Sequence, residues 1–182
     1  FSESRRVGLL LSIARRFRPL LPTQLKKRIP LVVNTADARP RTQARSMLLL
    51  DGCVQPAAAP HINKLAIQVF DRLGIQLRTI AESGCCGALQ HHLADSEGAR
   101  HRARSNIDAW WPVVEQGAEA IVVTATGCTP MIKDYRHLLR DDEQYAERAQ
   151  RISAMKKELS EVLSRENLSE LSNNTSKRVA FH

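Results

Sequence analysis

Between residues 46 and 140, short apolar runs alternate three times with stretches whose apolar residues recur every three or four positions. The first run, MLLLDGC (47–53), has the unbroken aliphatic character of a strand buried on both faces. In the PHINKLAIQVFDRLG that follows, Ile62, Leu65, Ala66, Val69, Phe70 and Leu73 share one side of a helix, and Gly74 stops it. IQLRTIAES (75–83) predicts a second strand with Ile75, Leu77 and Thr79 on one face. DSEGARHRARSNIDAWWPVVEQG predicts a second helix, N-capped at Asp95 or Ser96 and ending at Gly117. AEAIVVTATGC then reads as a third strand, and TPMIKDYRHLL as a helix with Pro130 in its first turn. A final long helix is expected over about 143–165.

Strand–helix units in this order join by right-handed crossovers into a parallel sheet. The predicted fold class is α/β: a three-layer, Rossmann-like short parallel sheet flanked by helices, with an N-terminal basic helical arm. The arm, residues 5–29, reads as a helix broken at Pro19 and Pro22, with Val7, Leu9, Leu10, Leu11, Ile13 and Phe17 in a broad apolar stripe. That stripe suits docking on the chain's own domain, or a basic amphipathic contact with a partner subunit or an anionic membrane face. A linker with a strand-like LVV follows and ends at Ser46. SRENLSELSNNTSK (164–177) is a polar linker, and RVAFH (178–182) opens like another strand. Three regions are expected: arm and linker, 1–45; a cysteine-bearing domain, 46–165; and linker plus the start of a further domain, 166–182. A first residue of Phe and a last run resembling a strand suggest a piece of something longer.

Charge changes this picture only when located. The formal net charge is +8. Residues 1–45 hold eleven Lys and Arg against Glu3 and Asp37, whereas the remaining residues carry 16 basic and 17 acidic side chains. The basicity thus belongs to the arm and the body is neutral, which argues against a nucleic-acid partner, whose footprint is a basic stripe over the folded body. No run approaches the roughly 18 apolar residues of a membrane span. Four cysteines are too few for a disulfide scaffold and no secretory signal is convincing, so a reducing, cytoplasmic setting is expected.

The cysteines carry the chemistry. Cys53, the adjacent pair Cys85-Cys86, and Cys128 each follow a predicted strand. In an open parallel sheet the carboxyl ends of the strands share one edge, where ligands bind. Three segments far apart in sequence are therefore expected to deliver four thiols to one place. Gly52, Gly84 and Gly127 precede cysteines and Gly87 follows the pair, letting backbone approach a bulky ligand and freeing N–H groups to face it. An iron–sulfur cluster needs thiolates for its irons and amide donors for its sulfides. A zinc site remains an alternative, although the chain has no C-x-x-C pair. So does a vicinal disulfide acting as a redox switch.

His91 and His92 follow the cysteine pair closely but suit surface helix positions, and His61, His101 and His137 read as structural. Lys133, Arg136 and Arg78 suit solvated faces more than an anionic site. Trp110 and Trp111 are expected to cover the sheet, one of them facing a partner. The sequence holds no Gly-rich phosphate loop, His-Glu-x-x-His or Ser/His/Asp arrangement.

LLLDGCVQP, AESGCCGALQHHL and NIDAWWPVVEQGAEAIVVTATGCTPMIKDY together resemble the iron–sulfur subunits of bacterial glycolate oxidase (glycolate dehydrogenase). More broadly they resemble the CCG cysteine-rich domains shared with heterodisulfide reductase and lactate-utilisation proteins. The family pattern is a Cys, some thirty residues, Cys-Cys-Gly, several tens of residues, then Cys-x-x-Cys; here 31 residues separate Cys53 from Cys85 and 41 separate Cys86 from Cys128. The resemblance implies an electron-transfer subunit with Cys53, Cys85, Cys86 and Cys128 as ligands of a [4Fe–4S] cluster or its non-cubane variant, and Gly52, Gly84, Gly87 and Gly127 as backbone around it. It also implies partner subunits carrying FAD that oxidise glycolate to glyoxylate, electrons passed toward a membrane quinone, and a peripheral contact with the inner membrane. The further domain that opens at the end of 166–182 would, on this resemblance, be a second CCG domain, with VAFH as the strand leading to its first cysteine. The chain departs from the pattern at Met131, where the family has a final Cys; a thioether is a weaker donor than a thiolate. A docking module of the same complex, using the arm and the Trp110–Trp111 face and lacking a cluster, stands beside the electron-carrier reading.

Overall fold

Every predicted apolar run between residues 46 and 128 pairs into one sheet, although each strand is shorter than its run. A computed structural model describes residues 2–33, 35 and 42–171. The strands are β1 (Arg45–Leu49), β2 (Ile75–Arg78), β3 (Ile121–Val123) and β4 (Lys156–Glu158), all parallel and in the order β2-β1-β3-β4. Thr79 lies beyond the end of β2 and is exposed. Between the strands run α3 (Gln55–Ala58), α4 (His61–Arg72), α5 (Ala88–His92), α6 (Ser96–Glu115), α7 (Thr129–Leu138) and α8 (Ala146–Met155), with α9 (Leu159–Leu163) after β4.

Alternation along β1 and β3 builds two apolar layers. Leu48, Leu50, Ile121 and Val123 face a core closed by α6, α7 and α8, with Ile107, Trp110, Ile132, Tyr135 and Ile152 fully buried there. Met47, Leu49 and Val122 face the opposite layer, closed by α4 and α9 through Phe70 and Val162. Each fully buried aliphatic or aromatic side chain contributes about 1.5–3 kcal/mol, against about 0.5–1.5 kcal/mol net for a backbone hydrogen bond. Strands of three to five residues are thus held by the layers on either side more than by their own ladders.

One expectation fails here. Residues 143–165 are not a single helix: α8 ends at Met155, Lys156–Glu158 pair with Ile121–Val123, and α9 restarts behind a capping box between Glu158 and Glu161. MKKEL has good helix formers and no apolar run, so its sequence hides a strand. The open edge of β3 offers it a ladder, and the lysines make an edge that resists further pairing.

The order 2-1-3-4 places a topological switch between β1 and β3, from which the chain leaves in opposite directions. A crevice at the carboxyl ends of these two strands is the ligand position of doubly wound sheets.

The arm forms as the prolines dictate. Helix α1 (Ser2–Phe17) gives way to a 3-10 turn at Arg18–Leu20 and to a short α2 (Thr23–Lys26). It docks on the chain's own domain: Arg15 donates through Nε to the Pro30 carbonyl at 3.0 Å and through Nη2 to that of Ala57, at the end of α3, at 2.8 Å. Leu9, Leu10, Ile13 and Phe17 face outward, 47–66% exposed. The LVV segment, residues 31–33, forms no strand. Glu166 pairs with Arg45 at 2.9 Å, so the chain returns to the start of β1 after α9. The strand expected at 178–182 falls outside the described residues.

Candidate metal centre at the carboxyl rim of the sheet

The loop after each of the first three strands carries thiol, and the three loops meet. Cys53 follows β1, Cys85 and Cys86 follow β2, and Cys128 closes the turn between β3 and α7. The Cys85 sulfur accepts hydrogen bonds from Cys53 and Cys86, and Cys86 also reaches Cys128. All four thiols are free, with Cys85 and Cys86 buried and Cys53 and Cys128 partly exposed. The adjacent pair is therefore not a vicinal disulfide in this state. The sulfurs form a row of pairwise contacts; among the described residues no three His, Cys, Asp or Glu side chains gather as a single-ion site.

The row is electrostatically polarised. The Cys85 thiol is pushed far below its ordinary value, chiefly by hydrogen bonds from Cys53 and Cys86, with further help from the Gly87 N–H and the Arg102 guanidinium. Cys128 is lowered by its bond from Cys86. Cys86 is pushed up, because its proton serves both neighbours and burial disfavours its charge. Two sulfurs thus already accept and two donate, as four thiols must share protons before any metal displaces them.

Two buried asparagines hold the loops. Asn106 on α6, 2% exposed, accepts from the Gly84 N–H at 2.9 Å and donates to the Cys85 carbonyl at 3.0 Å and the Tyr135 hydroxyl at 2.9 Å. Tyr135 on α7 donates onward to the Cys86 carbonyl at 2.9 Å. Burial pushes its hydroxyl well above the ordinary range, so it stays a neutral donor. On the other side of the sheet Asn63 on α4, 6% exposed, donates to Asp51 at 2.8 Å and accepts from Gln55 and Thr124. Residues 51 and 55 bracket Cys53, and Thr124 directly follows β3. The sequence reading missed Asn63, Asn106, Arg102 and Tyr135. The detectable signal was an amide at a core position on each helix, because a buried amide needs partners.

The glycines divide. Gly87 has φ +90°, and a Cβ there would stand 3.2 Å from Arg102 Cβ and 3.4 Å from the Ala99 carbonyl; Gly52 has φ +78°. Gly84 and Gly127 have no such φ, so the backbone does not demand glycine there. At Gly52, Gly84 and Gly127 a Cβ would meet nothing within 4 Å, leaving open space on the backbone beside three of the thiols. Thr129, next to Cys128, is buried, and its Oγ1 has no partner among the described residues.

Other expected residues lie elsewhere. His91 and His92 are exposed on α5, with ring centroids 6.0 Å apart. Met131 is buried in the core layer that includes Cys86 and acts as a packing residue. Lys133 and Arg136 are exposed on α7, and Arg78 donates to Gln116 at 3.5 Å. Trp110 is fully buried and offers no docking surface; Trp111 is tied down by Glu115 at 2.7 Å and by the Arg148 guanidinium 5.0 Å from its ring centroid.

Fold and site together define a parallel α/β domain that gathers cysteines from three crossover loops at its switch point. Residues 47–133 match the CCG family, described as a cysteine-rich domain, and this segment belongs to it. The whole chain is similar, 42% identical over 185 aligned residues, to the glycolate oxidase iron–sulfur subunit of Escherichia coli (strain K12), and covers 44% of that protein's length. It is 27% identical over 119 residues to a Bacillus subtilis (strain 168) protein named "Probable glycolate oxidase iron-sulfur subunit", covering 65% of this chain and 26% of that protein. Lactate utilization protein A of Bacillus cytotoxicus is 25% identical over 111 residues, covering 61% of this chain and 44% of that protein. The chain thus spans less than half the length of each of these relatives.

Proposed function

We propose that this chain is part of an electron-transfer iron–sulfur subunit in which Cys53, Cys85, Cys86 and Cys128 hold an iron–sulfur cluster. The carrying observation is the meeting of four thiols from three loops at the carboxyl rim beside β1 and β3. Three features favour a cluster. The donor set is all sulfur and numbers four, the complement of a [4Fe–4S] site. The backbone beside Gly52, Gly84 and Gly127 is open. The Thr129 hydroxyl is buried next to Cys128 with no partner among the described residues. When bound, such a cluster supplies one-electron redox chemistry; the chain's residues hold the ligands, exclude water and aim amide donors at the sulfurs.

The names of the relatives support a glycolate oxidase as the parent assembly. In this reading glycolate is oxidised to glyoxylate at FAD in partner subunits, and electrons pass toward a membrane quinone. The arm is the face offered to the flavin-bearing partner. Its apolar stripe of Leu9, Leu10, Ile13 and Phe17 points away from the domain beside exposed Arg6 and Arg16, and suits an apolar patch with an acidic rim. Among the described residues no helix is long and apolar enough to cross a membrane; in this reading the contact with the membrane is peripheral.

The test is a difference measurement on the full-length protein purified anaerobically with its partner subunits. Cys85→Ser and Cys86→Ser are each expected to remove iron, sulfide and one EPR signal while the subunits remain associated. Iron, sulfide and spectrum equal to those of the parent protein would overturn the reading.

A further inference from the structure

The Cys86–Gly87 peptide is held at both ends. Its carbonyl accepts from the Tyr135 hydroxyl at 2.9 Å, and its N–H donates to the Cys85 sulfur. Tyr135 in turn accepts from Asn106 Nδ2 at 2.9 Å. A continuous relay therefore runs from Asn106 through the Tyr135 hydroxyl and one peptide plane to the sulfur of Cys85. Each donor in such a chain polarises the next, which strengthens the terminal N–H···S bond. Asn106 also fixes the preceding turn, through the Gly84 N–H and the Cys85 carbonyl. Gly87, at φ +90° with Arg102 and Ala99 close to where a Cβ would stand, locks the plane's far side.

We propose that Tyr135 and Asn106 are positioning residues that set the hydrogen bonding of the Cys85 sulfur, and through it the reduction potential of the centre. Both act through the backbone of the Cys85–Gly87 turn. An N–H donor to a ligating sulfur stabilises the more negative, reduced state, so weakening it lowers the potential. The potential rests on the iron–sulfur reading, whereas the aim of the Gly87 amide does not.

Tyr135→Phe removes one oxygen and preserves the ring that packs in the core. Two readouts on the full-length protein follow. In metal-free protein, hydrogen exchange of a peptide spanning Gly87, followed by mass spectrometry, is expected to quicken about tenfold. In the intact complex, an EPR potentiometric titration is expected to show one centre shifted to lower potential and the others unmoved. Should Tyr135→Phe not fold, Asn106→Asp decides the matter on the same readouts, because it keeps the acceptor for Gly84 and loses both donated bonds. Unchanged exchange together with an unchanged potential overturns the proposal. Faster exchange with no centre attributable to these cysteines supports the relay and overturns the iron–sulfur reading instead.

Discussion

Thr124 at the end of β3 donates its hydroxyl to Asn63 Oδ1 at 2.7 Å, across the junction between two strands that the chain never joins directly. The same oxygen accepts from Gln55 at 2.6 Å, while Asn63 Nδ2 donates to the Asp51 carboxylate at 2.8 Å. One buried amide therefore ties both sides of the Cys53 loop to the strand that leads to Cys128.

Asn63→Ala should accordingly lower unfolding stability by about 1–3 kcal/mol, since it strands donors and acceptors that burial has cut off from water. Urea denaturation at pH 7 would show a lower midpoint with an unchanged slope. Alkylation of Cys53 in the metal-free protein should accelerate as its loop loosens.

The glycines make a contrast. Gly87→Ala forces a side chain into the left-handed region and against Arg102, at an expected cost of about 1–3 kcal/mol. Gly84→Ala and Gly127→Ala meet open space at ordinary φ and should change the thermal midpoint little. Their effect is instead expected on iron uptake, where an added methyl occupies the opening beside a thiol. Melting curves and iron analysis of the three variants separate backbone demand from ligand demand.

Glu166 supplies a pH signature. Arg45 donates to it through two nitrogens, each at 2.9 Å, and holds its carboxyl below the ordinary range. Because the folded value is depressed, the contribution is fully present above the unfolded value of about 4.3. It is lost as pH falls through the lower folded value. Arg45 is 41% exposed and also binds Glu119, so the pair contributes about 0.5–1 kcal/mol. Glu166→Gln should be less stable than the parent at pH 7 and equal to it near pH ~2, where both are uncharged at this position. Denaturant midpoints across pH would show the two curves converging.

Arg15→Ala tests the docking of the arm. Its guanidinium caps the carbonyls at the end of α3 and holds that of Pro30, joining the arm to the domain body. Losing these bonds should leave the domain's unfolding free energy within about 1 kcal/mol of the parent while limited proteolysis between residues 18 and 45 accelerates. An unchanged cleavage rate would mean that apolar contact alone seats the arm.

Local pattern made much of this molecule legible. Apolar runs at 47–50 and 121–123 have the character of strands buried on both sides, and cysteines at their ends follow the crossover loops to a shared rim. Helix α6 announced itself through two candidate N-caps, Asp95 and Ser96, of which Asp95 accepts from the Gly98 N–H at 2.9 Å, and α7 through Pro130. Each of these features depends on neighbours within a few positions, so the chain's own order suffices. The tertiary structure decided the rest. Lys156–Glu158 became a strand because β3 left an edge unpaired, against a local preference for helix. Asn106 and Tyr135, 29 residues apart, became a clamp on the Cys85-Cys86 turn only when α6 and α7 packed on the same face of the sheet. Trp110 and Trp111 are both expected from the sequence to cover the sheet, with one of them facing a partner, and the packing sent Trp110 wholly inside. Periodicity tells a residue which side of its own element it occupies; which distant group meets it there is fixed by the packing of elements.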